Sequence, residues 1–126
     1  MKPYVFNVAQ STDSCIKWIQ EWMSKNGNDS TKVVIGISGG KDSTVVAALC
    51  AKAIGKERIL GVMMPNGIQP DISDSQKIVD FLQIPHITIN INNAYNGLTE
   101  EIKSKLDLES LSPQYLTNTP ARLRMT

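Results

Sequence analysis

Two apolar rhythms alternate along the chain. From Ser11 to Lys25, Ile16, Ile19 and Met23 recur at helical spacing, with Ser11 or Thr12 standing where a cap belongs. Asn26-Gly27-Asn28 closes that helix. The run KVVIGIS, Lys32 to Ser38, is continuous and β-branched, as expected of a strand buried on both faces. A second helix is predicted from about Asp42 to Ile54, with Gly55 at its left-handed cap. Arg58 to Met64 then reads as a strand ended by Pro65-Asn66-Gly67. Ser73-Asp74-Ser75-Gln76 has the capping-box pattern, and Ile78, Val79 and Leu82 would face the sheet. His86 to Ile91 alternates apolar and polar residues, as an edge strand does. Asn93 to about Lys105 reads as a further helix.

Strands separated by whole helices cannot be hairpins. They must run parallel through crossover connections, giving one half of a doubly wound α/β fold. Ser112-Pro113 reads as a turn, and Asn118-Thr119-Pro120 as the start of a helix that has barely two turns before Thr126. So short an isolated helix is marginal, so the sequence is expected to be the first part of a longer chain.

Composition narrows the classes without choosing among them. A length of 126 residues suits one domain, and 41% hydrophobic with 20% charged residues is ordinary for a globular protein. A formal net charge of +1 gives no general electrostatic case for nucleic acid or membrane partners. No apolar run reaches the length of a bilayer span, and MKPYVFNVAQS lacks the apolar region of a secretory signal. Cys15 and Cys50 have no metal-ligand spacing and read as buried free thiols on helices. A cytoplasmic chain is expected. The lone His86 has no acid or cysteine near it in sequence and reads as structural, and Trp18 and Trp22 read as a packing or dimer surface.

The chemistry lies in IGISGGKDST, Ile35 to Thr44, between the first strand and the second helix. Gly39 and Gly40 allow a tight turn and close backbone approach to a ligand. Loop N–H groups with the hydroxyls of Ser38, Ser43 and Thr44 would cradle anionic oxygens, favoured by the dipole of the following helix. The pattern is neither GxxxxGK[ST] nor GxGxxG. Asp42 is the informative departure: a carboxylate beside phosphate repels it unless a cation intervenes, which points to Mg2+.

SGGKDS resembles the SGGxDS pyrophosphate loop of N-type ATP pyrophosphatases, which cleave ATP between the α and β phosphates. GVMMPNGIQPD, Gly61 to Asp71, and NTPARLRM, Asn118 to Met125, are similar to the corresponding stretches of ammonia-dependent NAD synthetases within that superfamily. The resemblance implies a Rossmann-like sheet of the adenine nucleotide alpha hydrolase type, of which this chain would be the first half, strand order about 3-2-1, in a single domain over residues 1–126. It implies ATP and pyrophosphate contacts from Gly36, Ile37, Ser38, Gly39, Gly40, Lys41, Asp42, Ser43, Met63 and Gln69, with Asp42 also on Mg2+. Lys41 holds the motif's variable position and reads equally as a solvated lysine. Some relatives have arginine at Met63, where methionine reads as core filling or adenine packing. Asn118 and Arg122 would bind nicotinate adenine dinucleotide, and Arg124, the family's second arginine, would be structural.

The activity so implied is adenylation of that dinucleotide's carboxylate followed by amidation with free ammonia, in a homodimer of the full-length protein. No catalytic side chain is assigned. This stretch by itself is expected to be inactive, with its loop-bearing strand an exposed apolar edge. The alternatives are another N-type pyrophosphatase, such as a GMP synthetase core, and a non-catalytic nucleotide-binding module.

Overall fold

The computed structural model describes residues 5–68, 72–106 and 113–126. Helix α1 (Val8–Asn26) precedes strand β1 (Val33–Gly36), helix α2 (Lys41–Ile54), a 3-10 turn (Lys56–Arg58) and strand β2 (Ile59–Met63). Helix α3 (Ile72–Leu82), strand β3 (His86–Thr88) and helices α4 (Asn92–Lys105) and α5 (Pro113–Arg124) follow. The three strands form one parallel sheet in the order β1-β2-β3, the expected arrangement read from its other edge. Ile35 pairs with Gly61, and Val62 pairs on its other side with Ile87.

The core follows from strand alternation. Ile35, Ile37, Ile59 and Met63 lie two or four residues apart in their strands and share one cluster with Ala47 and Cys50 of α2 and Val79 of α3. Ile59, Met63 and Val79 are the largest side chains sealed from water among the described residues. Ile78 and Leu82 pack at the edge of this cluster, as their helical spacing predicts. Gly61 sits where an added Cβ would lie 3.1–3.3 Å from Ile84, Ile37 and Val79, so the tight helix-on-sheet packing needs glycine there.

Burial on both faces holds for β2 but not for β1. Val34 is 66% exposed, because β1 is a sheet edge with one covered face. β3 is exposed at all three residues and stops at Thr88, three short of the predicted end.

Several boundaries differ from expectation for identifiable reasons. Helix α1 starts at Val8, capped by the Asn7 carboxamide, which accepts from the Gln10 N–H at 3.0 Å; Ser11 and Thr12 are therefore internal. Helix α3 already includes Ile72, so Ser73 is no cap, and Ser75 turns its hydroxyl to the sheet instead. The largest change is at α5. It begins at Pro113, which suits the first helical position, and runs through Asn118, Thr119 and a buried Pro120. The proline taken for a helix start is thus in the helix interior. Cys50 is buried as expected, whereas Cys15 is exposed. Burial pushes the Cys50 thiol above its ordinary pKa. Trp18 and Trp22 are exposed on α1, and no described helix is long and apolar enough to cross a membrane.

Candidate functional site

The parallel sheet fixes where a ligand would sit. Strand β1 delivers its chain to the crevice at the carboxyl ends of the strands, and α2 begins at Lys41, five residues after Gly36 ends the strand. Ile37 is 3% exposed and its N–H is held by the Val62 carbonyl at 2.9 Å. The next residue, Ser38, is at the surface. The loop therefore leaves a rigid core in a single step.

The turn itself is built from short polar groups. Gly39 has φ +86°, and a Cβ there would meet Asp74 Cβ at 3.2 Å and the Ser75 backbone nitrogen at 3.3 Å. Both conformation and the proximity of α3 thus require glycine at this position. Gly40 precedes the first turn of α2 in extended conformation. The Ser38 N–H donates to Ser43 Oγ at 3.3 Å, and the Gly40 N–H to Ser38 Oγ at 3.2 Å. The two hydroxyls are 3.1 Å apart, and Ser43 Oγ also reaches the Gly40 carbonyl at 3.4 Å. Thr44 Oγ1 donates to that same carbonyl at 2.6 Å, so this hydroxyl is spent on the helix start. An arriving phosphate would exchange these long hydroxyl contacts for its own oxygens.

Beside the loop lies a cavity of about 200 Å³. Gly36, Ile37 and Ser38 form one wall, Met64 and Pro65 a second, Ile72 and Ser75 of α3 a third, and Arg124 of α5 closes it. Ser75 is 3% exposed and donates its hydroxyl to the Ile37 carbonyl at 3.1 Å. A buried serine spending its proton on a loop carbonyl fixes the base of the loop. Sequence reading missed it because Ser75 stood at an ordinary intervening position of a plausible capping box.

The candidate residues are thus brought together only in part. Gly36, Ile37 and Ser38 line the cavity, while Gly39, Gly40, Lys41, Asp42 and Ser43 follow in the chain and are not part of its lining. Lys41 and Asp42 are exposed in the first turn of α2. Met63 is 1% exposed inside the core, and its neighbour Met64 lines the cavity, so the core-filling role fits Met63. Gln69 lies outside the described residues. Asn118 and Arg122 are exposed on α5, whereas Arg124 reaches the cavity. Mg2+ characteristically takes one or two carboxylates together with phosphate oxygens and water. An exposed Asp42 in the first turn of α2, next to the glycine turn, fits that donor set as its one carboxylate.

Comparison with known proteins bears on what such a loop serves. The family model described as NAD synthase matches residues 11–126. The NH(3)-dependent NAD(+) synthetase of Pyrococcus horikoshii is 38% identical over 113 residues, which is 90% of this chain and 41% of that protein. The solved NH3-dependent NAD synthetase of Campylobacter jejuni, in complex with nitrate, superposes with a TM-score of 0.78 at 30% identity, over 95% of this chain and 49% of that one. The NMN synthetase of Francisella tularensis superposes with a TM-score of 0.76 at 29% identity, over 96% of this chain and 48% of that one. The chain therefore spans between two-fifths and one half of the length of these relatives.

Proposed function

The chain belongs to the NAD synthase family, and on that premise we propose that its whole protein makes NAD from nicotinate adenine dinucleotide, ATP and ammonia. The observation that carries this reading is the SGGKDS turn at the carboxyl end of β1, whose Ser38 lines a cavity of about 200 Å³. In the first step a carboxylate oxygen of the dinucleotide bonds to the α phosphorus of ATP, and the bond to the β-bridging oxygen breaks. Pyrophosphate leaves. Ammonia then bonds to the acyl carbon, AMP departs with the former carboxylate oxygen, and nitrogen loses a proton to give the amide.

Within this reaction the chain supplies position and charge. The backbone of Ser38, Gly39 and Gly40, with the Ser38 and Ser43 hydroxyls, holds the β and γ phosphates as they become pyrophosphate. Gly36 and Ile37 border the adenosine. Lys41 adds positive charge beside the glycine turn. Asp42 is the chain's ligand for Mg2+, which when bound offsets the negative charge that gathers on the leaving group. Asn118 and Arg122 are assigned to the acceptor dinucleotide, Arg122 because a planar guanidinium pairs with phosphate oxygens through two parallel hydrogen bonds. The protein is assigned to the cytoplasm as a homodimer. The 126-residue chain alone is proposed to bind nucleotide without completing amidation, since it covers 41% of the length of the Pyrococcus horikoshii relative.

A second acceptor is worth testing because of the likeness to an NMN synthetase, namely a mononucleotide carboxylate. The experiment incubates the chain, and separately its full reading frame, with ATP, Mg2+, ammonia and either acceptor. Amide formation from the dinucleotide by the full frame alone is the expected result. A preference for the mononucleotide would transfer the assignment, and robust turnover by the chain alone would end the claim of inactivity. AMP release with neither acceptor but with another carboxyl or carbonyl substrate would move the protein elsewhere in the pyrophosphatase superfamily.

A further inference from the structure

Arg124 was expected to be structural, yet it borders the cavity while Asn118 and Arg122 of the same helix are exposed. Its Nε donates to the Met64 carbonyl at 2.7 Å, a contact between residues 60 apart in sequence. Met64 is the first residue after β2 and itself lines the cavity. Pro65 and Gly67 of this connection are held from the other side. The Pro65 carbonyl accepts from the Ile91 N–H at 2.8 Å, and Gly67 exchanges two hydrogen bonds with the Asn90 side chain at 3.0 and 3.3 Å. Asn90 and Ile91, between β3 and α4, thus hold this connection on one side, and Arg124 of α5 holds Met64 on the other.

We propose that Arg124 is a positioning residue that couples nucleotide occupancy of the cavity to helix α5. A guanidinium has five donors in a rigid fork, so it can hold a carbonyl while keeping its positive charge beside an anionic ligand. Phosphate near Ser38 favours the guanidinium in this place, and Met64 fixes the helix to it. Because such coupling is reciprocal, whatever orders α5 also strengthens nucleotide binding. Asn118 and Arg122 ride on that helix, so ATP would prepare the segment assigned to the acceptor. The inference rests on the nucleotide reading of the cavity.

Backbone hydrogen exchange over residues 118–126 tests it, with and without Mg-ATP at a concentration saturating each variant. In the unaltered chain, bound ATP is expected to slow exchange in this segment at least threefold. Arg124→Ala, saturated with ATP, should lose that slowing, and Arg124→Lys, which keeps the charge without the fork, should recover only part of it. If ATP binds and α5 exchange does not change, or if Arg124→Ala keeps the full effect, the coupling is overturned while the nucleotide reading stands. If the unaltered chain binds no ATP, that reading falls and the inference with it. Should Arg124→Ala fail to fold, Arg124→Lys decides the matter: a full effect there refutes the need for the fork.

Discussion

The core under β1 and the loop beyond it are consecutive pieces of one segment, and they are built on opposite rules. Ile35 and Ile37 are 8% and 3% exposed and pack into side chains from α2, β2 and α3. Ser38 to Ser43 have small or charged side chains, hold one another through hydrogen bonds of 3.1–3.4 Å, and lie mostly at the surface. The core has one good arrangement and resists any change of volume. The loop has groups that can change partners at little cost. A rigid base and an exchangeable rim together allow a polyanion to be bound without refolding the site.

The contrast can be broken most severely from the core side. Met63→Ala should destabilise the chain by about 2–5 kcal/mol, as truncation of a sealed side chain does, and chemical denaturation measures it. ATP affinity of the fraction still folded should stay nearly unchanged, because Met63 is sealed in the core and does not line the cavity. Gly39→Ala attacks the boundary between the two regions. A Cβ at φ +86°, 3.2 Å from Asp74, should cost about 1–3 kcal/mol and also weaken ATP binding, read by denaturation and calorimetry on the same variant.

Asp42→Ala tests the rim alone. Its melting temperature should move little, while affinity for ATP in the presence of Mg2+ should fall about tenfold, with little loss when Mg2+ is withheld. An unchanged Mg2+-dependent affinity would favour the non-catalytic module. The smallest effect concerns the two thiols. Cys15, exposed, should react with a maleimide in the folded chain, and Cys50 only on unfolding, as mass spectrometry of the labelled peptides would show. Burial raises the Cys50 pKa in the folded state, so its unfolded thiol ionises first. Its linkage contribution to stability is therefore whole below the ordinary thiol pKa and declines as pH rises through the folded value.

Local sequence chemistry determined much of this protein. The alternation of β-branched runs with helical spacing identified the parallel α/β sheet, and SGGKDS identified the glycine turn between β1 and α2. Both are legible because hydrophobic period and glycine turns act over a few residues. The tertiary structure decided what depends on distant partners. Val34 became exposed because its side chain points to the face of β1 opposite the core, which nothing among the described residues covers. Ser75, an intervening position of the expected capping box, found its partner in the distant Ile37 carbonyl. Pro120 entered a helix interior, and Arg124 rather than Arg122 reached the cavity, because α5 docks beside Met64. No short window of sequence contains such a partner. Local propensity chooses the elements, and packing chooses which of their side chains meet.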